Sequence, residues 1–194
     1  MKKINLSVTG CMGRMGQQII KSSNKKKEFK LVSLTESKVI NKKISGIKLS
    51  LNNIGSIFRT SDAFLIEKIY LCGITATPPN RKITKTALGS TETVEWEHCD
   101  NIIELVKKLK SNGTKVWSVE QTENSTDLKE IKQLENFEKH ALIFGNEING
   151  VDQKVINCSS EVIEIEQYGT KHSLNISIAA GILIWHFFNL LRKN

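Results

Sequence analysis

The chain has 194 residues, 39% hydrophobic and 25% charged, with a formal net charge of +8. That length holds one full domain plus a fragment of another, or one enlarged domain, and the ordinary apolar content excludes wholesale disorder. Residues 1–50 carry twelve Lys/Arg against two acids, whereas residues 51–194 carry sixteen against eighteen, so the high pI cannot by itself make the larger part of the chain a nucleic-acid binder.

In chain order, Ile4–Thr9 reads as a strand, Gly10–Gly16 as a Gly-rich turn, Gln17–Ser23 as a helix and Lys30–Thr35 as a second strand. Residues 36–50 are polar and Lys-rich, and a boundary is expected there. Asn53 is suited to cap a helix running to about Phe64. Glu67–Cys72 reads as a strand, Pro78-Pro79 as a loop, and the stretch to Leu88 as short helix or irregular chain. Asn101–Lys110 is an amphipathic helix stopped by Asn112-Gly113. Lys115–Val119 is a strand, Asp127–Gln133 a short helix, and His140–Phe144 a strand running into Gly145. Val151–Ile156 is a short helix, Glu161–Ile165 a strand, and Ser173–Leu191 a long final helix. Strands alternating with helices predict an α/β fold with a mainly parallel sheet.

Several classes are disfavoured. Cys11, Cys72, Cys99 and Cys158 form no CxxC pair, and His98 and His140 add no ligand spacing, so no metal site is expected and the thiols read as reduced, in a cytoplasmic protein. The opening MKKINLSVTGC loosely imitates a lipoprotein signal, but its apolar stretch is too short and contains Asn5 and Ser7. The apolar run Ile176–Leu191 is broken by Ser177, His186 and Asn189 and is shorter than the about 20 residues of a membrane span. A buried helix is expected.

Glycines at 10, 13 and 16 follow the first strand, and Glu36 lies twenty residues past Gly16. Such a turn lets backbone N–H groups approach a pyrophosphate at a helix N-terminus, and the acid suits a ribose hydroxyl; a tight turn without ligand fits equally. The string GCMGRMGQQII resembles the start of bacterial dihydrodipicolinate reductase. The resemblance implies cofactor contacts from Gly10, Gly13, Arg14, Met15 and Glu36. It covers about residues 1–48, a partial Rossmann-like βαβ segment, and the reductases' catalytic segment has no counterpart. Reductase activity is not expected.

Three further motifs occur in order: Asn53-Ile54-Gly55-Ser56-Ile57-Phe58-Arg59-Thr60; Ile143-Phe144-Gly145-Asn146-Glu147 with Gly150; and Ile163-Glu164-Ile165 through Ser173-Leu174-Asn175-Ile176-Ser177. Lys85–Gly89 belongs with them. Together they resemble the SpoU branch of the SPOUT methyltransferases over residues 49–194. The resemblance implies a mainly parallel sheet with a C-terminal trefoil knot and a homodimer. The implied activity is transfer of a methyl group from S-adenosyl-L-methionine to a ribose 2′-hydroxyl of tRNA or rRNA. It also implies catalytic roles for Arg59, Asn53, Glu147, Ser173 and Asn175. The implied cofactor pocket, made largely of backbone, involves Val119, Gly145, Ile165, Ser173 and Leu174, with Arg59 near the partner subunit's cofactor. No membrane or metal partner is implied.

The residue types suit that chemistry. A neutral 2′-hydroxyl is a poor nucleophile, so the protein must align it and stabilise its developing negative charge. Arg59 offers a fork for an adjacent phosphate; as a base it is a poor choice, since arginine almost never deprotonates. The plainer reading of Arg59 is a surface residue paired with Asp62 or Glu67. Asn53 and Ser173 each read equally as helix caps, and Glu147 as a solvated loop charge.

The chain departs from the SpoU pattern twice. Glu166 stands where that family usually has proline, which loosens a loop beside the cofactor. Upstream of Asn53 the usual strand and loop are replaced by Ile47–Leu51, whose alternation permits a substitute strand. Two alternatives therefore stay open: a non-catalytic or impaired RNA- or cofactor-binding hybrid, and a nucleotide-binding module using residues 1–48.

Overall fold

The computed structural model describes residues 4–9, 29–35, 51–134, 139–146, 149–170 and 173–192. The chain divides into two compact units, Met1–Gly46 and Ile47–Asn194. In the first, strands β1 (Ile4–Thr9) and β2 (Phe29–Thr35) pair in parallel. The glycine turn with Arg14 and Met15, the helix Gln17–Ser23 and Glu36 lie outside the described residues.

The second unit is α/β throughout. Helix α1 (Leu51–Ala63) leads to strand β3 (Lys68–Cys72), followed by helices α2 (Arg81–Ala87) and α3 (Ser90–Thr93) and strand β4 (Glu95–Cys99). Then come α4 (Ile102–Ser111), β5 (Thr114–Val119), β6 (Thr126–Asp127), β7 (Lys139–Phe144), α5 (Gln153–Cys158), β8 (Glu161–Glu164) and α6 (Ile176–Arg192). Strands β3 and β4 form a parallel pair, and a four-stranded parallel sheet runs in the order β6-β8-β5-β7. Parallel neighbours that are not consecutive demand crossovers, which is where the helices go.

Strand β5 shows how the layers are held. It is paired on both edges, and its successive residues Val116 and Trp117 are 0% and 4% exposed on opposite faces. Val116 packs with Val106 of α4 and with Val151 and Val155; Trp117 packs with Ile163 and with Leu183, Phe187 and Leu190 of α6. Both faces of the sheet are thus covered, as parallel sheets require. A third cluster joins Ile54 and Phe58 of α1 to Leu71, Ile83, Ala87 and Val94.

Four sequence expectations change. Helix α1 begins at Leu51, so Asn53 is inside its first turn and does not cap it, and Leu51 is helical rather than part of a substitute strand; residues 47–50 lie outside the described residues. The final helix begins at Ile176, and its cap is Asn175, whose Oδ1 accepts the Ser177 N–H at 2.8 Å, not Ser173. Asp127–Gln133 is only a 3-10 turn, Leu128–Glu130, after which the chain turns irregular and buries Leu134. Strand β4 was not expected: Glu-Trp-Glu-His-Cys has no apolar run, and it is instead largely exposed and tied to β3 by the Lys68–Glu97 ion pair at 3.0 Å. Cys72, Cys99 and Cys158 are free thiols, and burial pushes the Cys72 thiol up to about 11.

Candidate functional site

The C-terminal ends of parallel strands are where α/β folds place ligands, because the loops there diverge around a crevice. Here the ends of β5, β7 and β8 and the start of α6 enclose a cavity of about 470 Å³. That lies within the range of about 300–1,000 Å³ typical of small-molecule sites. Val119, Gly145, Ile165, Ser173 and Leu174 all line it. Their backbones come from four separate segments, which the sheet order brings together.

The turn after β7 folds back on itself. Asn146 and Gly150 form an antiparallel bridge, with N–H···O distances of 3.2 and 3.0 Å. A Cβ on Gly145 would lie 1.9 Å from the Gly150 carbonyl carbon, and Gly150 has φ +63°, so both positions need glycine. Asn146 Oδ1 also accepts the Asn149 N–H at 2.8 Å. Glu147, in this turn, lies outside the described residues.

Freed from capping, Asn53 reaches across the unit. Its Oδ1 accepts from Asn175 Nδ2 at 3.2 Å, and Ser177 Oγ lies 3.5 Å from it. Ser177 Oγ donates to Asn175 Oδ1 at 2.7 Å. Asn175 sits between the cavity-lining Leu174 and Ile176, so this triad fixes α1 against the cavity's edge. Sequence reasoning assigned Asn53 and Asn175 but gave Ser177 no role; its place two residues after a cap-forming Asn was the available signal.

Arg59 lies about 9 Å further along α1 than Asn53, at 1.5 Å per residue. It is exposed. Its expected surface partners are engaged elsewhere: Asp62 accepts from Thr93 Oγ1, and Glu67 pairs with Lys139 at 3.0 Å. Among the described residues, Arg59 forms no ion pair. Its neighbour Phe58 is 0% exposed and anchors the helix. A Cβ on Gly55 would lie 2.3 Å from the Ile83 carbonyl oxygen, so α1 and α2 touch backbone to backbone there.

Glu166, at the position expected to loosen its loop, has side-chain partners. It receives hydrogen bonds from Lys129 and from Tyr168 Oη, and Lys129 Nζ also pairs with Asp127 Oδ2 at 2.7 Å. Glu166 separates the cavity-lining Ile165 and Gln167, so the cluster steadies that wall. The Lys129 ammonium holds the Asp127 carboxyl below the usual carboxylate range, and Asp127 and Glu166 hold Lys129 above its ordinary value. A depressed acid contributes above its unfolded pKa of about 3.9, and its contribution is lost as pH falls through the folded value. A raised lysine contributes below its unfolded pKa of about 10.4, and its contribution is lost only as pH rises through the folded value. The Asp127–Lys129 part of the cluster therefore stays charged from about pH 4 to about pH 10, and salt, not pH, is its weakness. Replacing Lys129 with Ala is expected to speed amide hydrogen exchange at Ile165–Tyr168 several-fold near neutral pH. The difference should shrink at about 1 M salt, where charges are screened beyond about 3 Å. Equal exchange in the two proteins at low salt would contradict the role given to the cluster.

Comparison with known proteins finds two likenesses, which overlap. Residues 49–185 match the SpoU rRNA Methylase family. Residues 4–80 match the N-terminal part of dihydrodipicolinate reductase. The reductase likeness, expected to cover about residues 1–48, thus extends over α1 and β3 as well. The chain is 46% identical over 92 residues to a 4-hydroxy-tetrahydrodipicolinate reductase of Pelagibacter ubique, covering 47% of this chain and 35% of that protein. It is 34% identical over 134 residues to the 23S rRNA (guanosine(2553)-2′-O)-methyltransferase RlmP of Bacillus subtilis, covering 69% of this chain and 52% of that protein. It therefore spans about half, or less, of the length of these two curated relatives. The fold superimposes with a TM-score of 0.66 on the SpoU methyltransferase AviRb of Streptomyces viridochromogenes, solved in complex with AdoMet, at 15% identity, covering 98% of this chain and 83% of that one. With the match spanning residues 49–185 and the SpoU fold shared, the chain belongs to the SpoU rRNA Methylase family.

Proposed function

We propose that the chain transfers a methyl group from S-adenosyl-L-methionine to a ribose 2′-hydroxyl of tRNA or rRNA. One observation carries the reading: the five positions expected to bind the cofactor converge on one cavity at the C-terminal ends of β5, β7 and β8. The cavity suits the ligand. Gly145 and Gly150 let the turn that forms its wall close on itself, and Asn149, Gln153 and Gln167 supply amide donors and acceptors. S-adenosylmethionine bound there would supply an electrophilic sulfonium methyl.

The chain's own residues then have separable tasks. Arg59 binds the phosphate beside the target ribose and stabilises the negative charge that grows on the 2′-oxygen. Asn53, Asn175 and Ser177 hold the RNA-facing helix at a fixed distance from the cavity, and Ser173 stands at its rim. Arg81, Lys82 and Lys85 are exposed on α2, which packs against α1, and among the described residues they form no ion pair; they add phosphate attraction beside Arg59.

The proposed assembly is a homodimer through α6. Ile178, Ile182 and Trp185 are 56%, 37% and 56% exposed and lie on one stripe of that helix. Sedimentation as a dimer at micromolar concentration is expected, and a monomer under those conditions would contradict the assembly.

Thermal unfolding with and without S-adenosylmethionine tests the cofactor reading. Ligand at a hundred times its Kd stabilises by about 2.7 kcal/mol, a rise of roughly 5–10 °C for a protein of this size. No rise in a cooperatively unfolding protein would sink it.

A further inference from the structure

We infer that Glu120 is a positioning residue of this site: its carboxylate ties the turn after β5 to the turn after β7 and sets the gap in which the cofactor is held. The inference rests on the proposed cofactor reading for its consequence, but its geometry stands by itself. Glu120 lines the cavity directly after Val119. Its Oε2 accepts the Val151 N–H at 2.8 Å, thirty-one residues away, and its Oε1 accepts the Gln121 N–H at 3.0 Å. One side chain thus bonds a backbone amide in each of two walls. Its own backbone N–H donates to the Ile163 carbonyl oxygen at 3.1 Å, which brings β8, the third wall, into the same link.

The fit on the far wall is steric as well as polar. A Cβ on Gly150 would lie 2.0 Å from Glu120 Oε2 and 2.9 Å from its carboxyl carbon. Gly150 is therefore glycine for two separate reasons, its positive φ and the carboxylate packed against it. Gly145 in turn packs on Gly150, so a displacement of Glu120 passes through Gly150 to Gly145, a predicted cofactor contact. A charged acceptor for two amides is stronger than a neutral one. Glutamine in its place keeps the length but offers one acceptor and turns an NH₂ toward the second amide.

The experiment compares the full chain with Glu120→Ala, Glu120→Gln, Gly150→Ala and the double variant Glu120→Ala/Gly150→Ala. Amide hydrogen exchange without ligand reads the geometry. Exchange at Gly150, Val151 and Gln121 should quicken about tenfold in Glu120→Ala while the Val116–Ser118 amides stay protected; unchanged exchange at Val151 would overturn the inference. Titration with S-adenosylmethionine reads the consequence. Its Kd should rise about tenfold in Glu120→Ala and less in Glu120→Gln. Gly150→Ala should weaken binding more in the parent than in the Glu120→Ala background, because only the clash, not the φ strain, disappears there. Additive effects in that cycle would overturn the inference. A parent that binds no S-adenosylmethionine, with Val151 nonetheless deprotected by Glu120→Ala, would sink the proposed function and leave the tie between the turns standing.

Discussion

Arg59→Ala is expected to slow methyl transfer by about 10²–10³-fold, the usual loss when one group that stabilises a developing oxyanion is removed. Cofactor affinity should change little, since the proposed role of Arg59 is to hold the phosphate beside the target ribose, and Arg59 does not line its own chain's cavity. The effect should fall on kcat through the charge that grows only in the transition state, and on KM for RNA through the lost phosphate contact. The fold should survive: the side chain is exposed, and Phe58 and Gly55, not Arg59, fix helix α1. Arg59→Lys separates charge from shape. It keeps a cation but loses the planar two-pronged contact with phosphate, so recovery should be partial. Single-turnover transfer from labelled cofactor gives the rates. A variant as fast as the parent would mean that another group carries the charge.

Gly145→Ala is expected to cost both cofactor affinity and stability. The added Cβ would sit 1.9 Å from the Gly150 carbonyl carbon and 2.2 Å from its oxygen. Both obstacles are backbone, so no flexible side chain can swing away. The turn must open, and overpacking of this kind costs about 1–3 kcal/mol or more. At 2–4 °C per kcal/mol, the unfolding midpoint should drop by roughly 2–12 °C, and the Kd for S-adenosylmethionine should rise by at least about tenfold. Gly169→Ala is the matched control, because its Cβ would meet nothing within 4 Å. Calorimetric titration of the three proteins decides. Equal affinities would mean that the turn after β7 is not a wall of the binding site.

How much of this was legible in the sequence depends on which interaction settled each element. The alternation of strands and helices was plain because β5, β7 and β8 each carry an apolar stretch, Val116–Trp117, Ala141–Phe144 and Val162–Ile163, between helices. Strand β4 escaped notice because edge strands need no apolar run. Asn53 looked like a cap because Asn is a good one, yet α1 starts two residues earlier and a tertiary bond to Asn175 claims its side chain. The same competition moved the α6 cap from Ser173 to Asn175. Glu166 looked like a weak point because no sequence pattern shows that Lys129, thirty-seven residues away, reaches it. That Val119, Gly145, Ile165, Ser173 and Leu174 share a pocket was expected only through the SpoU resemblance, whereas Glu120 was hidden because one acid after a strand has no signature of its own.

The central claim is the reaction. Its most direct test is incubation of the full chain with labelled S-adenosylmethionine and unmodified tRNA and rRNA, followed by digestion and nucleoside analysis. Label is expected in a 2′-O-methylated nucleoside, appearing about 10²–10³-fold more slowly with Arg59→Ala. Label on a base, or no label in either RNA from a protein that binds the cofactor, would contradict it.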